Sequence, residues 1–330
     1  MNKTMAIYFD NMHYTRVHLL FIFLFYNEKM LKEFEWSGKA MGTDYSVAIV
    51  CISRDLALET YKKAKNEIKE YEERFSRFLP SSELSTLNEK KDMAVSQAFL
   101  DVTKKAYQLF VETGGIFNPL VQIARFGYDK NFLNVENNKD TSDSSPYNID
   151  FHSTIIDEKT SSIHLKEGQK LDYGGFLKGY LAEIIAKKIK AHSENITGVI
   201  VNIGGDINTQ GLDENRNKFV FNIYNPVLKN EDIKITLHNQ SLATSGTYKR
   251  SWLISGKKMH HILDSSGSQN PENDIVSASV IHENGANAEA YTKVFLSMGH
   301  ERALELLRNK NVSFIIIKND GQVNTNTQIQ

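Results

Sequence analysis

The sequence predicts an α+β fold of mixed, largely antiparallel sheets flanked by helices. Three observations predict it. Stretches of period two and stretches of helical period intermix without the strict strand–helix–strand order that a doubly wound parallel sheet requires. Strand-like runs dominate beyond residue 199. The chain of 330 residues is 41% hydrophobic and 10% aromatic, ample for a packed core, while its single cysteine, Cys51, rules out an internal disulfide framework.

Each element has its own warrant. From Phe34 to Ile52 two strands surround a turn, with Tyr45, Val47 and Ile49 alternating against Asp44, Ser46 and Ala48. Ala57, Tyr61, Ala64, Ile68, Tyr71 and Phe75 then recur at helical spacing and give one apolar stripe on a Lys- and Glu-rich helix. Pro80 ends that helix, and Ser81 or Ser82 caps a short one. Another helix runs from about Ser96 to Thr113 and stops at Gly114-Gly115. Residues 129–148, rich in Asn, Asp, Ser and Lys, read as a polar insertion. Ser162 to Leu165 and Leu171 read as strand edges, and Leu177 to Ala191 as an amphipathic helix. The expected strands that follow are Val199–Ile203, Phe219–Tyr224, Ile233–Leu237, Trp252–Ile254, Ile275–Ile281 and Ser313–Ile317, with a helix from about Ala286 to Met298.

With 39 basic against 40 acidic residues the chain is nearly neutral, which argues against a nucleic-acid partner. The apolar run Val17 to Tyr26 is half the length of a membrane span. Residues 1–29 are read as an uncertain head, either a mis-assigned start or a vestigial signal, before one domain over 30–330. Cys51 lies inside an expected strand, where it cannot carry a lipid. The resulting expectation is a soluble, cytoplasmic protein, with a membrane-associated or exported form as the alternative.

Three glycine-bearing turns join expected elements: Asp172 to Gly179, Asn202 to Asp206 and Thr244 to Gly246. Paired glycines allow close backbone approach, and a turn that opens a helix aims N–H groups at an anion. Lys178, in the first turn of a helix, could join such a site; the alternative is that these glycines merely serve tight turns. His260 and His261 end a strand three residues before Asp264; alternation puts one on each sheet face, so a single general base is conceivable and a two-histidine metal site is not. Asp206 and Glu289 are the acids best suited to a phosphate-bound cation, although each could equally be a cap.

Together these segments resemble the ApbE-type FAD:protein FMN transferases. The landmarks appear in family order: Met41-Gly-Thr43; Phe75-Ser-Arg-Phe78, then Ser82 to Asn88; Gly115 to Pro119; Leu171 to Tyr180; Asn202 to Asp206; Ala243 to Gly246; His261 to Asp264; and Ala288 to Lys293. The resemblance implies a T-fold-related architecture of two subdomains and transfer of the FMN half of FAD to a threonine of an acceptor protein, with AMP released and Mg²⁺ assisting. It implies a FAD cleft lined by Met41, Phe78, Phe117, Asn118 and Ile262, with Asp172, Lys178 and Asp206 on the dinucleotide. His261 becomes the base. Gly175, through its carbonyl, Ala286 and Glu289 fall at the metal position with Lys293.

Two departures lie there. Glu289 replaces the family's aspartate, and Lys293 replaces its threonine. A charged lysine has three donors and no acceptor, so it repels Mg²⁺ rather than ligating it. The expectation is that the Lys293 ammonium partly replaces the metal and pairs with Glu289 one helical turn away. Thr292 could serve as ligand only from about 100° around the helix. Hydrolysis of FAD to FMN and AMP, or passive FAD binding, are the alternative activities.

Overall fold

A computed structural model of the chain describes residues 30–126, 147–248, 251–254, 257–260, 262–264 and 266–329. The head expected over 1–29 and nearly all of the insertion expected over 129–148 lie outside the described residues. Strands β1 (Lys32–Ala40) and β2 (Thr43–Cys51) precede the helices α1 (Arg54–Phe75) and α2 (Glu83–Lys90). Strand β3 (Asp92–Ala94), helix α3 (Gln97–Glu112), β4 (Ile155–Asp157), β5 (Ser162–His164) and helix α4 (Leu177–His192) follow. The remainder is β6 (Ile196–Ile203), β7 (Asp206–Gly211), β8 (Phe219–Asn225), β9 (Asn230–Leu237), β10 (Ser241–Gly246), β11 (Ser251–Ile254) and β12 (Lys257–His260). It closes with β13 (Ile275–His282), helices α5 (Gly285–Met298) and α6 (His300–Leu307), β14 (Ser313–Lys318) and β15 (Val323–Thr325).

One eight-stranded sheet, in the order β1-β2-β6-β7-β10-β13-β14-β15, organises the chain, and the strand pairings described are antiparallel throughout. The expected α+β class is therefore observed. Helices cover one side of the sheet. The apolar stripe of α1, from Ala57 to Phe75, packs on Tyr45, Val47 and Ile49 of β2, while α5 packs Tyr291, Val294 and Phe295 with Ala278 and Val280 of β13. The β8–β9 hairpin forms a separate cluster, Ile223, Ile233, Ile235 and Leu237, with Leu242, Ile281, Ile315 and Ile317 of the sheet. Burying a side chain of this size contributes about 1.5–3 kcal/mol each. Among the described residues no helix is long and apolar enough to cross a membrane.

Local chemistry sets the boundaries. Ser82 Oγ accepts the Ser85 N–H and caps α2; Ser96 does the same for α3 through the Phe99 N–H. Helix α3 ends as expected, with Gly114 and Gly115 at φ +59° and +82° and the Gly115 N–H returning to the Phe110 carbonyl. Leu171 departs from expectation, because it belongs to no strand. Its N–H and carbonyl instead bond the side chain of Asn88, at 2.7 and 2.8 Å, which takes the place of a neighbouring strand.

Candidate functional site

The turn from Asp172 to Phe176 is bolted to the core by its aromatic residues. Tyr173 is fully buried, with its ring 5.8 Å from Phe75 and 5.7 Å from Phe99, and its hydroxyl meets Thr103 Oγ1 at 2.7 Å. Phe176 is buried beside it and edge-on to Phe117. Between these anchors a Cβ on Gly175 would stand 3.1 Å from the Phe117 ring, so glycine lets that ring lie under the turn. Asp172 faces outward. Its Oδ1 accepts the Gly174 N–H, its Oδ2 lies 3.4 Å from Arg77 Nε, and its own N–H bonds the Pro119 carbonyl. Arg77 in turn lies over the Phe78 ring.

Beyond the turn, α4 and α5 cross almost in backbone contact at their first turns. A Cβ on Gly179 would fall 2.3 Å from the Gly285 carbonyl oxygen, and one on Gly285 would fall 2.1 Å from the Gly179 oxygen. Each helix lends a carboxylate to the other's N-terminus: Glu289 of α5 accepts the Gly179 N–H at 2.9 Å, and Glu183 of α4 accepts the Gly285 N–H at 2.7 Å. Orphan amides and the helix dipole are satisfied together. The third contributor is the β6–β7 turn, where Gly204 and Gly205 take φ of +64° and +96° and deliver Asp206 at the start of β7. Gly204 sits against Thr43, where a Cβ would come within 2.8 Å of Thr43 Oγ1.

These elements assemble a charged knot. Lys178 Nζ donates to Asp206 Oδ2 and, at 2.5 Å, to Glu289 Oε1; Lys293 Nζ lies 3.3 Å from the same Glu289 oxygen. The carboxylate side chains are 4% and 1% exposed and both lysine side chains 17%, so the lysines are the less deeply buried members of the knot. Burial opposes ionisation of both acids, yet two ammonium groups and the Gly179 N–H hold Glu289 down at about 2. Asp206 goes the other way, up to about 6, through burial and the neighbouring Glu289 charge, only partly offset by Lys178 and Lys293. One shared ammonium cannot favour both acids equally, so Asp206, with the fewer donors, is the weaker partner. For Lys178, burial lowers the pKa but both carboxylates more than compensate; for Lys293 burial wins and the pKa falls.

The model of the ApbE family matches residues 41–316, more than four-fifths of the chain. The chain belongs to the ApbE family. It is therefore a member of a family of transferases. A relative from Salmonella typhimurium named FAD:protein FMN transferase is 23% identical over 304 residues, covering 86% of this chain and 84% of its own length. The flavinyl transferase ApbE of Pseudomonas stutzeri, in its apo form, superimposes with a TM-score of 0.72 at 17% identity, over 90% of this chain and 95% of that one. The ApbE protein of Thermotoga maritima gives 0.74 at 22% identity, over 89% and 97%. These structures share the fold.

Seven of the eight ApbE landmarks, all but His261 to Asp264, are joined by contact. Thr43 touches Gly204, Asp206 holds Lys178, Lys178 holds Glu289, Thr292 donates to Ser245 Oγ at 2.7 Å, and Asp172 reaches both Arg77 and Pro119. Met41 adopts φ +53° and donates its N–H to Glu72. Phe78 is 46% exposed, whereas Phe117, Ile262 and Ala286 are buried. Asn118 spends its side chain on local backbone, donating to the Ile149 carbonyl and accepting from the Leu120 N–H. Thr292 is fully buried and its hydroxyl also meets the Glu289 carbonyl, so it serves the helix packing. His261 lies outside the described residues, but Asn270 fastens the backbone on both sides of it, bonding the His260 N–H and the His260 and Ile262 carbonyls. Sequence reasoning missed Arg77, Asn88 and Asn270. Arg77 and Asn88 lie within quoted landmarks, and Asn270 follows one closely, so polar residues at motif edges were the available signal.

Proposed function

We propose that this chain transfers FMN from FAD to a threonine hydroxyl of an acceptor protein and releases AMP. The threonine oxygen attacks the phosphorus on the riboflavin side of the pyrophosphate, and the bond from that phosphorus to the bridging oxygen breaks. The electron pair leaves with AMP, the hydroxyl proton passes to His261, and a phosphodiester joins FMN to the acceptor. Phe78, exposed and stacked on by Arg77, is the residue offered for flavin stacking, and Met41, Phe117, Asn118, Asp172 and Ile262 are the remaining residues this reading assigns to the FAD cleft. The observation that carries the reading is that several family landmarks meet at one knot holding two lysine ammonium groups, which suit a pyrophosphate.

Mg²⁺, which family membership brings to mind, meets a poor donor set. Glu289 has both oxygens engaged, Lys293 has no lone pair to give, and among the described residues no three His, Cys, Asp or Glu side chains converge as a metal site. No step is therefore assigned to it. The test is to incubate the purified protein with FAD and a threonine-bearing acceptor protein of a flavinylated type, then read flavin fluorescence on the denatured acceptor and AMP by chromatography. Covalent flavin with equimolar AMP is expected. Free FMN with AMP would mean that water is the acceptor, and intact FAD would mean a passive binder; either result overturns the reading.

A further inference from the structure

We infer that this chain supplies the cation of its phosphate site itself: the Lys178 and Lys293 ammonium groups, seated on Asp206 and Glu289, act where a divalent metal would otherwise serve the pyrophosphate, so the site neither binds nor needs one. The second half rests on the flavin-transfer reading; the first does not.

Charge is the first argument. Two ammonium groups face two carboxylates, and the knot closes on itself with no net charge. A divalent ion added to it would leave two positive charges uncompensated in a largely buried pocket, beside two helix N-termini that are already positive.

Access is the second. Both lysine side chains are 17% exposed while Asp206 and Glu289 are 4% and 1%, so the lysines are the more accessible members of the knot and the acids lie deeper. An anion would therefore reach the lysines more readily than a cation would reach the acids. A metal would have to displace Lys178 from two partners and Lys293 from one, and would still find Glu289 Oε2 committed to the Gly179 N–H.

Sequence supplies the third. Lys293 is four residues beyond Glu289, so both project from one face of α5, and the i,i+4 pair is formed at 3.3 Å. A phosphate arriving at Lys293 would gain a charge-assisted partner and a donor fork with Lys178, without either carboxylate having to be exposed.

The deciding experiment is a Mn²⁺ titration of the full chain saturated with FAD, followed by electron paramagnetic resonance, alongside flavin transfer measured in EDTA and in millimolar Mg²⁺. The wild type is expected to leave the free Mn²⁺ signal unchanged and to show less than about a twofold difference between the two conditions. Lys293→Met is expected to lose about 10²-fold in transfer in EDTA, the scale of removing one electrostatic stabiliser. Lys293→Thr is expected to gain a Mn²⁺ site and a dependence on Mg²⁺. One tightly bound Mn²⁺ per wild-type chain, or transfer abolished by EDTA and restored by Mg²⁺, overturns the inference. Should the protein turn over no FAD under any condition while still binding no Mn²⁺, the transferase reading fails and the self-supplied cation stands.

Discussion

Replacing Glu289 by Gln removes one charge at nearly constant shape, and its consequence can be worked from the contacts. The carboxylate takes the Gly179 N–H on one oxygen and the Lys178 and Lys293 ammonium groups on the other. An amide has a single acceptor oxygen, so whichever way it turns, one set of donors faces its NH₂. The descent of the Glu289 pKa from 4.5 to about 2 corresponds to about 3 kcal/mol of stability, a scale that the removal of one partner from a buried ion pair also gives. For a domain of this size that lowers the melting temperature by roughly 6 °C. The assay is urea unfolding, since guanidinium salts would screen the charges under test. The pH dependence carries a sign: the folded pKa is depressed, so the stability is fully present above about 4.5 and is lost as pH falls toward about 2. The gap between wild type and Glu289→Gln should therefore close over that window. In the Glu289→Gln/Lys293→Met double variant part of the loss should return, with a coupling of about 0.5–3 kcal/mol. A loss below about 1 kcal/mol at pH 7, or the same gap at pH 7 and pH 2, would refute the reasoning.

Other substitutions test other links. Gly285→Ala places a methyl 2.1 Å from the Gly179 carbonyl, a backbone atom that no rotamer change can move, and should cost about 3 kcal/mol in urea unfolding; a loss under about 1 kcal/mol would mean the helices separate freely. His261→Ala should slow flavin transfer about 10²–10⁴-fold with little effect on the urea midpoint, and unchanged transfer would remove it as the base. Asn88→Ala deletes both bonds to the Leu171 backbone, and a loss of about 1–3 kcal/mol is expected; a neutral result would show that water replaces them.

How much could be read without a structure depended on whether the signal was apolar. The stripe of α1 and the serine cap of α2 were legible because propensity and burial agree there. Strands β7 and β10 were not. Their sequences, from Asp206 to Gly211 and from Ser241 to Gly246, bury Asn208, Thr209 and Ser241, which satisfy one another and the neighbouring backbone; Asn208 Nδ2 reaches Ser241 Oγ at 2.7 Å. A buried strand of paired polar residues shows no alternation of hydrophobicity. Helix α6 (His300–Leu307) was missed for another reason: only Gly299 separates it from α5, and its two turns bury just Ala303 and Leu307, too few for a helical period to stand out. At the site, the Glu289–Lys293 pair was visible as a four-residue spacing, whereas the hold on Lys178 was not, because its partner Glu289 is 111 positions away.

That distant partner ties Glu289 and Lys293 to the packing of the helices. Glu289 must reach from α5 across the crossing to the Gly179 amide of α4 and still offer its other oxygen to the lysines. An aspartate is one methylene shorter, so with the backbones held apart by the Gly179–Gly285 contact it would satisfy the helix end or the ammonium groups, but not both. Glu183 repeats the arrangement in the other direction, bonding the Gly285 amide while pairing with Lys187 at 2.5 Å. Each helix end thus carries a buried amide that only the other helix's carboxylate satisfies. The acids are consequently part of the fold as well as of the site, and a substitution at Glu289 alone will mix lost stability with lost chemistry. Lys293 is the cleaner probe, since it contacts Glu289 but closes no helix end. Removing it takes away one charge of the knot and leaves the reciprocal carboxylates in place.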